Sequence, residues 1–214
     1  MRVIKDPDER KSEILDTAEA LFTTKGYSKT TILDILNAIG IAKGTFYYHF
    51  KSKEEVMDAI IKRIVDADVA AARSIAANPD IPVRDKLFRI LMAQMPVAGG
   101  SKAKLLEQFH QPSNAEMHQK SLAQAILHLT PVLADVIKQG IRENIFATDY
   151  PRETVEFLVA GAQVIFDKGL FHWEPHEELQ KARAFIHMTE TTLGAGKGSF
   201  DPILDLLTGG PVEG

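Results

Sequence analysis

The chain has no cysteine among its 214 residues. This excludes disulfide frameworks, cysteine-ligated zinc sites and thiol catalysis. Long apolar runs are also scarce. The strongest, residues 157–166, is interrupted by Gln163 and falls short of the roughly 20 residues that a membrane-spanning helix requires. The opening residues, MRVIKDPDERK, lack the apolar segment of an export signal. We therefore expect a cytoplasmic protein with no membrane partner.

Acidic residues are nearly missing from residues 22–53, where Asp34 stands against five lysines. This segment carries a net charge of +4, so the other 182 residues carry −8 of the total of −4. A basic segment on an acidic body suits phosphate binding at one end of the molecule. Charge alone does not distinguish such a phosphate-binding site from a chance excess of basic residues on the surface.

Apolar residues recur at helical spacing along most of the chain, and no alternating strand pattern is present, so we predict an all-α fold. The first helix is expected to stop at Gly26, where glycine suits the position after a helix. Thr31 and Asp34 form a short capping box for a second helix, which should end at Gly40. Its predicted buried face consists of Ile32, Ile35, Leu36 and Ile39.

A long helix is predicted from Ser52 to about Ala77. Ser52 and Glu55 form a full capping box at its start, and the Asn78–Pro79 pair stops it. At 1.5 Å per residue, its roughly 25 residues span about 38 Å. Further helices are predicted at residues 82–95, 101–111, 114–145, 151–170, 175–193 and 201–208.

A short helix between Gly40 and Ser52 has an unusual polar surface. At 100° per residue, Phe46 and Phe50 fall on one apolar edge, which can dock on the first two helices. The other faces carry Lys43, Gly44, Thr45, Tyr47, Tyr48 and His49. A bare backbone, hydroxyls and a lysine have little use in a core but suit a DNA groove, where they can donate to phosphates or base edges. Ordinary half-buried amphipathic residues are the alternative.

Residues 10–60 closely resemble the DNA-binding domain of the TetR (tetracycline repressor-like) family. The resemblance is carried by an "A..LF...G" first helix and by the later pattern "G(V/I)..GT.Y.HF..K". The matching residues are Ala18, Leu21, Phe22, Gly26, Thr31, Gly40, Ile41, Gly44, Thr45, Tyr47, His49, Phe50 and Lys53. The resemblance implies a DNA-binding domain at residues 1–53 and a helical effector-binding and dimerisation domain at residues 54–214. It places the DNA contacts at Thr31, Lys43, Gly44, Thr45, Tyr47, Tyr48, His49 and Lys53.

Three residues depart from the family pattern. Leu33 stands where many members have an arginine that can reach DNA, so we expect that contact to be missing. Leu36 replaces a small alanine, which should alter packing more than function. Ala42 occupies a common serine cap position and leaves the short helix without a side-chain acceptor, a loss of about 0.5–2 kcal/mol.

For the remaining residues, the resemblance implies a dimer and an effector pocket. Apolar stripes in the two late helices support a four-helix dimer interface, although both stripes could be monomer core. The interface candidates are Phe157, Gly161, Val164, Ala182, Phe185 and Ile186. Bulky and polarisable residues of the middle helices could line a pocket, although such residues are more often plain core. The pocket candidates are Phe88, Met92, Phe109, His110, His128, Phe166 and Trp173.

Three functional hypotheses follow. The leading one is a homodimeric repressor that a small apolar or amphipathic effector releases from a palindromic operator in double-stranded DNA. The second is a DNA-binding regulator without a small-molecule effector, controlled by a protein partner. The third, an all-α enzyme, is disfavoured because no constellation of acid, base or nucleophile is present. No cofactor and no metal ion are predicted.

Overall fold

The computed structural model describes residues 6–95, 99–111 and 114–208, and these residues form helices and connecting turns without any strand. The predicted all-α fold is confirmed. The helices are α1 (Pro7–Lys25), α2 (Ile32–Ile39), α3 (Lys43–His49), α4 (Lys53–Ala77), α5 (Val83–Gln94), α6 (Ser101–Phe109), α7 (Ala115–Arg142), α8 (Pro151–Ile165), α9 (Pro175–Leu193) and α10 (Leu204–Thr208). None of the helices within the described residues is long and apolar enough to cross a membrane.

The chain divides into two compact units. Unit 1 contains the described residues up to Ile64 and the segment that ends at Ser121, and unit 2 contains Val65–Met95 and the residues from Leu122 onward. The division falls inside α4 and inside α7. The domain boundary after residue 53 stays a prediction.

Unit 1 is built on an apolar core beneath α1, where Ile14, Phe22, Ile35, Phe46 and Met57 are fully buried. In this unit α1 packs against both α2 and α6. Arg63 of α4 binds two carboxylates of α1, with 2.5 Å from Nη1 to Asp16 and 2.6 Å from Nη2 to Glu19. These contacts fix α1 relative to the first half of α4.

The start of α4 differs in one detail from the predicted capping box. The Glu55 amide donates to the Ser52 hydroxyl at 3.1 Å, as expected. The Glu55 carboxylate, however, accepts from the Lys51 amide instead of the Ser52 amide. Ser52 therefore caps the helix, while Glu55 secures the residue before it.

The helix predicted at residues 151–170 ends earlier, at Ile165. Asp167 accounts for the difference, because its Oδ1 accepts from the amides of Gly169 at 2.7 Å and Leu170 at 3.1 Å. Such a side-chain-to-backbone turn competes with continued helix. A loop from Phe166 to Glu174 therefore precedes α9.

Unit 2 contains a buried lysine that joins three helices. Lys86 of α5 is 3% exposed, and its Nζ donates to the Ala76 carbonyl at 2.7 Å and to Gln139 Oε1 at 3.0 Å. Ala76 lies in the last turn of α4, where backbone carbonyls lack helical partners. The ammonium therefore caps α4 and joins it to α5 and α7.

Candidate nucleic-acid interface

The turn between α1 and α2 is held by the predicted cap. The Asp34 amide donates to Thr31 Oγ1 at 3.1 Å, and the Thr31 amide donates to Asp34 Oδ2 at 2.8 Å. Lys25 also binds Asp34 Oδ2, at 2.6 Å. The hydrogen bond from Lys25, followed by those from Thr31, lowers the pKa of Asp34 from 3.8 to about 2. The charged carboxylate therefore stabilises the fold above about pH 4, and this contribution is lost as the pH falls through about 2.

A left-handed residue ends α2 as predicted. Gly40 has φ 75° and ψ 36°, and its amide donates to the Leu36 carbonyl at 2.8 Å. Two residues later Ala42 is extended, with φ −75° and ψ 151°, and begins α3. The two helices are thus joined by a tight turn, as in a helix-turn-helix.

The short helix α3 turns Phe46 inward, together with Phe50 directly after its last residue, and turns most of its polar side chains outward. Phe46 is fully buried and Phe50 is 2% exposed, whereas Tyr48 is 77% exposed and Tyr47 is 44% exposed. The other members of the predicted contact set on this helix are exposed Lys43 and Gly44 and half-buried Thr45 and His49. The outer face is therefore open to a ligand, which the amphipathic-core alternative does not explain.

The exposed side chains of α3 are partly ordered by one another. Lys43 Nζ lies 5.7 Å from the centre of the Tyr47 ring. The Tyr48 and His49 rings meet edge to face with centroids 4.9 Å apart. Such contacts stabilise exposed side chains by about 0.5–1.5 kcal/mol each and limit the rotamers that they must give up on binding.

The N-terminus of α3 lacks a side-chain cap, as predicted, because Ala42 accepts only through its backbone carbonyl. Ala42→Ser should raise the free energy of unfolding by about 1 kcal/mol, since an extended N-cap serine accepts from an orphan helix amide. Urea unfolding followed by circular dichroism measures this gain. Ala38→Ser, at an exposed site inside α2, is the matched control and should lower stability slightly. Equal effects at the two sites would contradict the capping explanation.

Lys53 occupies a different environment from the phosphate contact that the resemblance implies. Its Nζ donates to the Tyr27 carbonyl at 2.8 Å and to the Thr30 carbonyl at 2.9 Å, and lies 4.2 Å from the centre of the Tyr27 ring. Burial lowers the pKa of this ammonium. The side chain holds the start of α4 against the turn between α1 and α2. Lys53 therefore supports the candidate interface indirectly, through this packing.

Lys53→Met should lower the free energy of unfolding of unit 1 by about 1–3 kcal/mol, because two carbonyls lose a charged donor. The clamp also predicts that the slope of log affinity against log salt stays unchanged once the variant is folded. A lost phosphate contact would instead flatten that slope by about 0.9 for each protomer bound and leave thermal stability intact. Lys51→Met, at an exposed neighbouring lysine, is the control for charge.

Leu33 and Thr31 both lie at the surface of the interface region. Leu33, where many family members have arginine, is 63% exposed on α2 and offers no charge to a duplex. Thr31 is exposed, and its hydroxyl donates to Asp34 Oδ2 at 2.8 Å. Thr31 thus combines a capping role at the start of α2 with a surface position.

The pocket candidates lie in both units of the chain. Phe109 is 2% exposed in unit 1, where α6 packs against α1, so it belongs to the core of that unit, and the neighbouring His110 is exposed. His128 is exposed and lies 3.1 Å from Gln124 Oε1. Phe88 and Met92 are half-buried on α5. Helical periodicity indicates an apolar face of a helix but does not indicate which neighbour that face meets.

The other two pocket candidates lie near a surface groove of about 710 Å³ between α8 and α9. Phe166 lines this groove, and Trp173 donates from Nε1 to the Ile165 carbonyl at 2.8 Å beside it. The full lining is Tyr150, Glu153, Thr154, Phe157, Leu158, Gly161, Ile165, Phe166, Lys181, Ala184, Phe185, Met188 and Thr192.

The interface candidates divide by burial. Phe157 is 80% exposed and Val164 is 42% exposed, while Ala182 and Ile186 are buried in the chain itself at 0% and 6%. Ala182 and Ile186 therefore pack within the protomer and offer no surface to a second chain. The lining of the groove includes Phe157, Gly161 and Phe185.

One polar residue of unit 2 was not among the sequence candidates. The side-chain oxygen Oε1 of Gln163 on α8 is buried and accepts no hydrogen bond from any described residue. A buried, unpaired acceptor costs about 1–3 kcal/mol, so such a group calls for a donor. The sequence signal was present, because Gln163 is the residue that interrupts the apolar run 157–166.

The short connection between α2 and α3, with an exposed polar helix on a buried phenylalanine edge, defines a DNA-binding protein of the helix-turn-helix class. Two family profiles match this chain: "Bacterial regulatory proteins, tetR family" over residues 14–60 and "Tetracyclin repressor-like, C-terminal domain" over residues 98–188. The chain belongs to the TetR family of transcriptional regulators, which are not enzymes.

Relatives agree with this assignment. The HTH-type transcriptional repressor KstR2 of Mycobacterium tuberculosis is 28% identical over 155 residues, which cover 69% of this chain and 74% of the relative. The HTH-type transcriptional regulator EthR of the same species is 33% identical over 82 residues, or 38% of each chain. The crystal structure of a TetR-family transcriptional regulator from Pectobacterium atrosepticum matches the fold with a TM-score of 0.57 at 16% identity, covering 90% of this chain and 93% of that one.

Proposed function

We propose that the protein is a homodimeric repressor that binds a palindromic operator through α3 and is released by a small apolar or amphipathic effector. The observation that carries the DNA-binding part is the outward face of α3, with Tyr48 77% exposed above the buried Phe46. The relatives are named transcriptional repressor and transcriptional regulator, which supports repression here. The proposed contacts are Lys43, Gly44, Thr45, Tyr47, Tyr48 and His49, with Thr31 at the edge.

Selection from a pool of random DNA duplexes tests the operator proposal. The purified full chain should enrich a palindrome whose half-sites lie about one helical turn, or 34–36 Å, apart, because two-fold related α3 helices enter successive major grooves. Enrichment should weaken steeply with added salt. Recovery of no common sequence, or of a single unpaired half-site, would contradict a dimer that reads a palindrome.

The exposed apolar surface of α8 and α9 supports the dimer. Phe157, Val164, Ile165 and Met188 are 80%, 42%, 37% and 57% exposed, which is unusual for large apolar side chains on a monomer. A second copy would bury this surface in a four-helix arrangement. Sedimentation equilibrium should therefore give twice the chain mass of 23.7 kDa.

The buried Gln163 oxygen supports the effector. A ligand donor would satisfy this acceptor, and small-molecule sites usually contain a few polar groups of this kind that fix the ligand. Thermal-shift screening with apolar alcohols, amides and acids should find compounds that raise the melting temperature and lower operator affinity. Gln163→Leu should be more stable than the wild type and less responsive. If no compound acts, control by a protein partner becomes the better explanation.

A further inference from the structure

The groove between α8 and α9 has two charged lining residues at its opposite ends. Lys181 Nζ lies 3.7 Å from the centre of the Trp173 ring, and Trp173 Nε1 is bonded to the Ile165 carbonyl. This places Lys181 level with the C-terminal end of α8. Glu153 lies in the first turn of α8, twelve residues before Ile165. At 1.5 Å per residue, the two charges are about 18 Å apart along the helix axis.

The surface between the two charges combines a protrusion and a depression. Phe157 is 80% exposed. Gly161, one helical turn further on, is exposed, and apart from its chain neighbours and the backbone of its own helix no described atom lies within 4 Å of the position that a Cβ would occupy. A large aromatic side chain and an adjacent open glycine on the same face are self-complementary if two copies meet in opposite directions.

Both features share one midpoint. Along α8, Phe157 and Gly161 each lie two residues from Val159. Glu153 and Ile165 each lie six residues from Val159, and Lys181 lies at the level of Ile165. A two-fold axis exchanges levels that are equidistant from it. An axis at Val159 would therefore bring the protrusion onto the depression and the negative end onto the positive end in the same arrangement.

We propose that a second copy of this chain fills the groove about a two-fold axis at the level of Val159. Phe157 covers the partner's Gly161, and Glu153 faces the partner's Lys181, with each contact made twice. A parallel arrangement would instead place like charges together, so the distribution of charge selects the antiparallel one. This inference rests on the proposed homodimer and adds its register and its orienting charge pair.

Charge exchange tests the pair. Glu153→Lys and Lys181→Glu should each weaken the dimer about tenfold or more, since each creates two like-charge contacts, and the double exchange should restore affinity to within about threefold. These differences should shrink in high salt. Arg183→Glu, an exposed charge reversal on α9 outside the groove lining, is the matched control and should leave the dimer constant unchanged.

Cysteine pairing tests the register independently, because the chain has no native cysteine. An equimolar mixture of Phe157→Cys and Gly161→Cys chains should oxidise to the mixed disulfide in preference to either symmetric one. Dominant Phe157→Cys homodisulfides would move the axis to residue 157 and overturn the proposal. A dimer dissociation constant that neither single charge reversal changes would also overturn the proposed register, but it would not contradict the homodimer. A wild-type chain that remains monomeric at all concentrations would contradict both the homodimer and the proposed register.

Discussion

Replacing Lys43 and Tyr48 with alanine together should lower the affinity for the selected operator by about 100-fold, or roughly 2.7 kcal/mol. Both side chains are exposed, and Tyr48 is the more exposed of the two tyrosines on α3. Their removal leaves the packing of Phe46 and Phe50 untouched. The loss should therefore come from contacts with the duplex and not from unfolding.

Salt titration separates the two contributions. If Lys43 contacts a phosphate, the slope of log affinity against log salt should fall by about 0.9 for each lysine lost, whereas a guanine contact should change sequence preference instead. The control carries Lys197→Ala and His172→Ala, at two exposed positions in unit 2, and should bind as the wild type does. A doubly substituted α3 that binds within about threefold of the wild type would contradict the contact surface.

Gly140→Ala should be the most destabilising single methyl addition that we can identify in unit 2. An added Cβ would lie 2.1 Å from Phe146 Cδ2 and 2.6 Å from Cε2, with Val83 Cγ1 at 3.0 Å. Phe146 is 3% exposed and stacks on Phe200 with ring centroids 6.1 Å apart. Its amide also donates to the Gly140 carbonyl at 3.2 Å, so the ring has little freedom to move away.

We expect a net loss of about 1–2 kcal/mol, because an overpacking cost near the upper end of about 1–3 kcal/mol outweighs the helix-propensity gain of about 1 kcal/mol. Urea unfolding measures the loss, and the melting temperature should fall by about 2–4 °C for each kcal/mol. Gly140→Ala combined with Phe146→Leu should be less destabilised than the sum of the two single variants, since the smaller side chain leaves room for the methyl group. A Gly140→Ala chain as stable as the wild type would show that the ring can shift freely.

Local rules predicted the helix-turn-helix well. Thr31 caps α2, Gly40 ends it in the left-handed region, and Ala42 leaves α3 uncapped, because each outcome depends on residues within four positions of one another. The same holds for the burial of Phe46 and Phe50, which follows from helical spacing alone.

Local rules could not predict contacts between residues that are far apart in the sequence. Lys53 binds carbonyls 23 and 26 residues earlier, so its clamp depends on how α4 packs under the α1–α2 turn. The burial of Ala182 and Ile186 depends likewise on which face of α9 meets its neighbours. A stripe of apolar residues fixes a face, but only packing decides whether that face is core or surface.

Cleavage of DNA from a reagent tethered to residue 42 tests the central claim most directly. Ala42 is exposed at the start of α3 and is outside the proposed contact set, and the absence of native cysteines makes Ala42→Cys a unique attachment site for an iron chelate. If α3 enters the major groove, the selected operator should be cut at two sites about 10 base pairs apart, one in each half-site. The same reagent attached at Lys197→Cys, an exposed position in unit 2, should cut the DNA weakly and at no preferred base pair. Cleavage from residue 42 no stronger than from residue 197 would show that α3 does not lie against the duplex.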